Sequence, residues 1–341
     1  MEAPRPALAI ATYGSDKDGL VCSYLFADGG RGQPIAADEA VMWLDTPGAP
    51  GAFVWLHFNV SNAAAERFMQ QHLRLPGPFH ESLHDDSGST RVEQAGEALV
   101  AVLHDVLYDF DFDASHVSTV SLCAERRMLV SARAKPLRSI DRLRESVREG
   151  EAFRSPVELL AHLLRDQADV MARILRDSTS RVNSVEDALL ASRVGASRAR
   201  LSALRRVLVR LQRLLAPEPA ALFRLLNRPP AWLGDEDAQE LRQAAEEFST
   251  AVADCAALVE RVKVLQEELA ALIGERTNRT LFLLTVVTVL ALPFNVIGGL
   301  FGMNVGGIPF GDDPGGFWVI VVLISAFTAG VGLWALGKRP Q

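Results

Sequence analysis

From Leu281 to Phe301 the chain runs for 21 residues without a charged side chain, LFLLTVVTVLALPFNVIGGLF. A helix of that length covers ~31 Å at ~1.5 Å of rise per residue, enough to cross the hydrocarbon core of a bilayer. A plain lipid-facing anchor has no need of the polar groups this run contains. Asn278, Leu281, Thr285, Thr288, Leu292, Asn295 and Gly299 recur at alternating spacings of three and four, which places them on one helix face. Four of these seven are polar, and Asn295 lies well below the end of the span. An asparagine facing lipid would hold its amide without a partner, so this face must meet other helices or water. Two readings fit the stripe: its side chains join helices together, or they line a wet path.

A second apolar run, Phe317 to Leu336, is bounded by Trp318 and Trp334, where interfacial aromatics belong. Arg276 and Arg279 precede the first span, and Lys338 and Arg339 follow the second. The connection from Val305 to Gly316 has no Lys or Arg but carries Asp312 and Asp313. By the positive-inside rule both termini are cytoplasmic and the loop is outside. A two-span hairpin cannot enclose a pore alone. The wet-path reading therefore requires several copies around a common axis.

Hydrophobic residues make up 49% of the 341, yet nearly all continuous apolar sequence lies after residue 280. The expectation is a largely soluble protein with a membrane-embedded tail. A net charge of −7, with no basic patch interleaved with aromatics, argues against a nucleic-acid partner. Met1-Glu2-Ala3-Pro4 does not open a signal peptide. Cys22, Cys123 and Cys255 form no CxxC pair and fit a reducing cytosol as small packing residues.

Residues 1–150 read as a cytosolic α/β domain. Strands are expected at Leu8–Tyr13, Leu20–Phe26, Ala52–Phe58, Leu99–Leu107, Val117–Cys123 and Met128–Ala132, with helices at Ala63–Leu73 and Pro78–His84. Ala124 to Arg127 reads as a hairpin turn, and the strand order stays undetermined. From Pro136 onward strand signals vanish, and Pro136–Glu149 reads as a helix. Residues 151–234 are expected as a helical hairpin. It opens on Ser155-Pro156-Val157-Glu158, turns at Gly195, and is interrupted by Pro217, Pro219, Pro229 and Pro230. From Asp235, coiled-coil spacing through Phe248, Cys255, Val262 and Leu269 predicts a stalk helix over 235–280, running on into a transmembrane helix over 281–304. A loop over 305–316, a second transmembrane helix over 317–336 and a tail over 337–341 complete the chain.

Gly302-Met303-Asn304 closes the first span and continues as Val305-Gly306-Gly307-Ile308-Pro309. A long helix, one span ending in Gly-Met-Asn, a short loop and a final span resemble the CorA metal-ion transporter superfamily. The VGGIP continuation is similar to its ZntB zinc-transporter branch. Arg91-Val92-Glu93, the Leu99 to His104 stretch and Lys135-Pro136 fall where family members carry similar segments. The resemblance implies a CorA-like funnel built as a homopentamer in a bacterial inner membrane, moving divalent metal cations rather than catalysing a reaction. Zinc is the implied cargo, with magnesium, cobalt or nickel as the alternative; no cofactor is implied, and proton coupling is left open. It also makes Gly302, Met303 and Asn304 the entrance and selectivity element. Asn304 would meet the ion through its hydration shell, and Asp312 and Asp313 would concentrate cations near the mouth. Below it, Asn295, Thr288, Thr285 and Asn278 would supply hydrogen-bonding steps, and Leu292 and Leu281 hydrophobic constrictions.

Two other patterns point elsewhere. His80-Glu81-Ser82-Leu83-His84 matches HExxH, in which two histidines bind zinc and the glutamate activates water. It follows Pro76-Gly77-Pro78, and nothing supplies an obvious third ligand, so surface or packing residues are the preferred reading over a regulatory metal site or a membrane-anchored peptidase. Asp109, Asp111 and Asp113, after Asp105, would share a face if they lay on a strand. A coiled-coil scaffold with a tail anchor is the remaining alternative.

Overall fold

A computed structural model of the chain describes residues 14–27, 30–47, 51–85, 89–190, 197–303 and 315–337. The chain divides into two compact units, Met1–Gln266 and Glu267–Gln341. The expected strand at Leu8–Tyr13 lies outside the described residues.

The first unit opens with β1 (Leu20–Phe26), β2 (Gln33–Pro34), α1 (Ala37–Asp45), β3 (Phe53–Asn59), α2 (Ala63–His72) and α3 (Gly77–Leu83). It continues through β4 (Arg91–Ala95), β5 (Ala98–Val106), β6 (Val117–Glu125) and β7 (Met128–Arg133). The strands form one seven-stranded sheet in the order β2-β1-β3-β7-β6-β5-β4. Every pair is antiparallel except β3 with β7, which run parallel at the centre. The turn between β6 and β7 is the two residues after Glu125, which pairs directly with Met128.

Helices cover both faces of the sheet, which is why β3 reads FVWLHFN with all seven residues buried rather than alternating. Alternate side chains serve different cores. Phe53 and Trp55 join Leu103 and Leu122 on one face, whereas Val54, Leu56 and Phe58 join Phe68, Met69 and Phe79 on the other. Fully burying one such side chain is worth ~1.5–3 kcal/mol, so a one-residue slip of β3 would forfeit the register on both faces together.

The helical part follows as α4 (Arg138–Glu149), α5 (Pro156–Leu190), α6 (Ser197–Leu215), α7 (Pro217–Leu226), α8 (Asp235–Phe301) and α9 (Gly316–Gly337). Helix α4 starts two residues later than its sequence suggests, because the Pro136 carbonyl accepts from the Tyr108 N–H and Leu137 bridges Leu107. Ser155 caps α5: its hydroxyl accepts from the Glu158 N–H at 3.0 Å, while the Glu158 carboxylate accepts from the Arg154 N–H at 2.6 Å. Pro217 and Pro219 interrupt the helical run as expected: α6 stops at Leu215 and α7 begins at Pro217, since a first-turn residue has no intrahelical use for its N–H.

A buried polar joint ties the sheet to three of these helices through β5. Glu218 of α7 accepts from the His104 N–H, and Gln167 of α5 donates to the His104 carbonyl at 2.8 Å. Asp105 accepts from the N–H and hydroxyl of Ser139 in α4, at 2.8 and 2.9 Å. Burial pushes the Asp105 carboxyl up to about 7, against the pull of the Ser139 hydrogen bonds. Burial likewise pushes Glu218 up to about 6, with the His104 hydrogen bonds opposing it.

Candidate ion pathway

Within α8 the seven stripe residues Asn278, Leu281, Thr285, Thr288, Leu292, Asn295 and Gly299 are all exposed. Leu281 and Leu292 retain 55% and 59% of their surface, much as other apolar residues of the span do, Leu284 keeping 62% and Val287 61%. The same helix carries a half-buried stripe at Phe282, Val286, Leu290, Pro293 and Ile297, and α9 carries one at Ile320, Val321, Ile324, Thr328 and Val331. At ~100° per residue the half-buried stripe of α8 is centred ~140° around the helix from the polar one. The polar stripe is therefore open in a single copy of the chain.

The threonines on this face have a fixed polarity. Thr285 Oγ1 donates to the Leu281 carbonyl and Thr288 Oγ1 to the Leu284 carbonyl, both at 2.8 Å. Thr277 and Thr280 do the same to Ile273 and Arg276, at 2.9 and 3.0 Å. With the hydroxyl proton held by its own helix, each oxygen turns only lone pairs outward. Water molecules around a metal cation point their hydrogens away from the ion, and an acceptor-only surface of this kind is chemically suited to them. Neither hydroxyl hydrogen bond is visible in the residue spacing; the bias of threonine for i−4 back-bonding was the available signal.

At the upper end α8 runs through Pro293, which removes one backbone donor, and stops at Phe301. The Gly302 N–H still reaches the Gly298 carbonyl at 3.0 Å. A Cβ at position 302 would sit 3.0 Å from that same oxygen, so the absence of a side chain lets the chain leave the helix closely packed on its last turn. Met303 is exposed. Asn304, Asp312 and Asp313 lie outside the described residues.

The other motifs do not gather into a site. His84, just after α3, places Nε2 2.8 Å from Glu66 Oε1 of α2, and His80 Nδ1 is buried without a hydrogen-bond partner. Among the described residues no group of three or more His, Cys, Asp and Glu side chains is arranged to hold a metal. Asp109, Asp111 and Asp113 do not share a strand face, because β5 ends at Val106 and these residues follow in a turn and loop. Asp113 instead accepts from the N–H and hydroxyl of Ser115, both at 2.8 Å, which lowers its pKa. Asp166 bonds Arg142 Nε at 3.0 Å and lies 3.5 Å from His162 Nε2; burial pushes it up to about 6.

A family model described as CorA-like Mg2+ transporter protein matches residues 50–338. The zinc transport protein ZntB of Pectobacterium atrosepticum is 25% identical over 280 residues, covering 82% of this chain and 85% of its own length. The divalent cation transporter CmaX of Pseudomonas aeruginosa is 28% identical over 313 residues, covering 91% and 93%. Among solved structures, full-length CmaX superposes with a TM-score of 0.78 at 25% identity over 94% of this chain and 99% of that one.

Proposed function

This chain belongs to the CorA-like Mg2+ transporter family, and we propose that it passes divalent metal cations, zinc foremost, through a pore shared by identical copies. It is a transporter and not an enzyme. The observation that carries the pore reading is the exposed stripe of α8, polar and acceptor-biased, on the face away from the half-buried one. A single hairpin leaves that stripe in contact with lipid, at the cost of an unpaired amide at Asn295. A ring of copies turns it inward. Five copies, both termini in the cytoplasm and the 305–316 loop outside are the arrangement we favour, with residues 1–150 and 151–234 cytosolic and 235–280 the stalk.

In this ring an ion keeps its water shell, because no carboxylate lies within the span to replace it. Asn304 accepts hydrogen bonds from that shell at the mouth, where Asp312 and Asp313 raise the local cation concentration. Asn295, Thr288, Thr285 and Asn278 repeat the contact at successive depths. Leu292 and Leu281 interrupt it and close the path when it dewets. Zinc is favoured by the likeness to the ZntB protein; the likeness to CmaX supports a broader divalent range, with magnesium, cobalt and nickel the alternatives.

The test is flux into proteoliposomes holding the purified full-length chain, with zinc, magnesium, cobalt and nickel offered separately and a pH gradient imposed or omitted. Zinc uptake above protein-free vesicles supports the reading, and its dependence on the pH gradient decides whether protons move with it. Vesicles that contain an assembled ring yet pass none of the four ions would overturn it.

A further inference from the structure

Helix α6 contains six arginines and no acidic residue. Arg206, Arg210 and Arg213 share one face at spacings of four and three, all exposed, with Val209 between them keeping 40% of its surface. None of the three arginines has an ion pair or hydrogen bond among the described residues, and a row of like charges at i, i+4 repels itself. Arg198 and Arg200 add positive charge in the first turn, where the helix dipole disfavours it.

Helix α1 is the complement. Asp38, Met42 and Asp45 lie on one exposed face at the same spacings of four and three, and Met42 keeps 61% of its surface. Asp45 falls in the last turn, the end of the dipole that repels a carboxylate, and no basic residue of the helix itself offsets it, although the Arg127 guanidinium bonds the neighbouring Trp43 and Leu44 carbonyls. Both helices thus carry a row of side-chain charges with no ion pair among the described residues, and each sets one exposed apolar side chain inside its charged row.

Their placement decides what can bring them together. Helix α1 packs on β1 and α6 on β5, the second strands from opposite edges of the seven-stranded sheet. Four strand spacings of ~4.8 Å separate those strands, so the two faces cannot meet within one chain. Complementary patches at opposite ends of one molecule make a heterologous contact, the kind that closes into rings rather than two-fold dimers. We infer that the basic face of α6 docks on the acidic face of α1 in the next copy, so that Arg206, Arg210 and Arg213 pair with Asp38 and Asp45 around Met42 and Val209. The planar guanidinium fork suits such carboxylates better than lysine would. This rests on the reading of the transporter as a ring and names the surfaces that close it.

The experiment uses the full-length chain in native-like membranes. Met42→Cys and Val209→Cys are introduced together and separately, and a short bismaleimide is applied. The double variant should give a covalent ladder extending beyond dimers, whereas each single variant and the unsubstituted chain should not. Arg206→Glu with Arg210→Glu should reduce the ladder roughly tenfold, and adding Asp38→Arg with Asp45→Arg to that chain should restore it. An absent ladder from a chain that still has ring mass in mild detergent overturns the pairing alone. Coupling of Met42→Cys to itself overturns it as well, since that contact would be two-fold. A chain of monomer mass in mild detergent overturns the pairing and the pore reading together.

Discussion

Glu218 and His104 meet twice: the carboxylate accepts from the His104 backbone N–H at 2.5 Å, and the same oxygen stands 3.4 Å from the ring Nδ1. The other carboxylate oxygen is buried with no hydrogen-bond partner. This is an acid that folding makes harder to ionise, and the cause is burial.

Stability should therefore fall as pH rises across this group. Its folded pKa of about 6 lies above the ordinary 4.5, so the stabilisation is complete below pH ~4.5 and is lost as pH rises through 6. Asp105, raised to about 7 from 3.8, acts in the same direction over a wider window. Glu218→Gln keeps an acceptor for His104 and removes the charge. Thermal melts of the purified protein between pH 4.5 and 7 should show a shallower loss in the variant, by ~2 kcal/mol across the window. Equal slopes would mean that Glu218 does not titrate there.

Asn295 and Leu292 should fail in opposite ways if both line the path. Asn295→Leu extends the dry segment and should lower metal flux severalfold, whereas Leu292→Asn wets a constriction and should raise leak. A purely helix-joining asparagine would instead weaken the oligomer, by ~0.6 kcal/mol per contact. Flux and oligomer stability measured in the same liposome preparation separate the two, and flux that merely tracks stability rejects this stripe as the pore.

Thr288→Val conserves the branched shape and removes the outward lone pairs; Thr288→Ser keeps them. Divalent flux should drop in the valine variant and survive in the serine one, since only serine keeps the hydroxyl and its bond to the Leu284 carbonyl. Equal flux from both variants would mean that the ion's waters do not use this oxygen.

Gly302→Ala introduces a methyl 3.0 Å from the Gly298 carbonyl, tight enough that the end of α8 must shift. Uptake should fall while the ring keeps its mass on a sizing column, because the strain is confined to the turn that leads to Asn304. Unaltered uptake would show that the mouth tolerates a moved backbone.

Much of this molecule was legible in its residues. The uncharged run from Leu281, the coiled-coil spacing before it and the Ser155-Pro156 start all express local rules that tertiary contacts do not override. Strands of continuous apolar sequence, such as β3 and β5, were equally plain. Strand β4 was missed because Arg91-Val92-Glu93-Gln94-Ala95 is only half-buried and lacks a strong pattern, and α1 because it is only nine residues long and begins after Ala36, a residue with no capping side chain. Sequence could not announce the joint at Glu218 either. Its partner His104 is 114 residues away, and an acid two residues from a helix start looks like an ordinary first-turn charge.

The self-bonded threonines bear on how such a chain enters a membrane at all. A newly made copy must cross the bilayer before it has neighbours, with the polar face of its first span turned to hydrocarbon. Because Thr285 and Thr288 satisfy their protons within the helix, the amide of Asn295 is the chief polar burden in the depth of that first span. Insertion can then precede assembly, and what remains exposed gives the copies a reason to find one another.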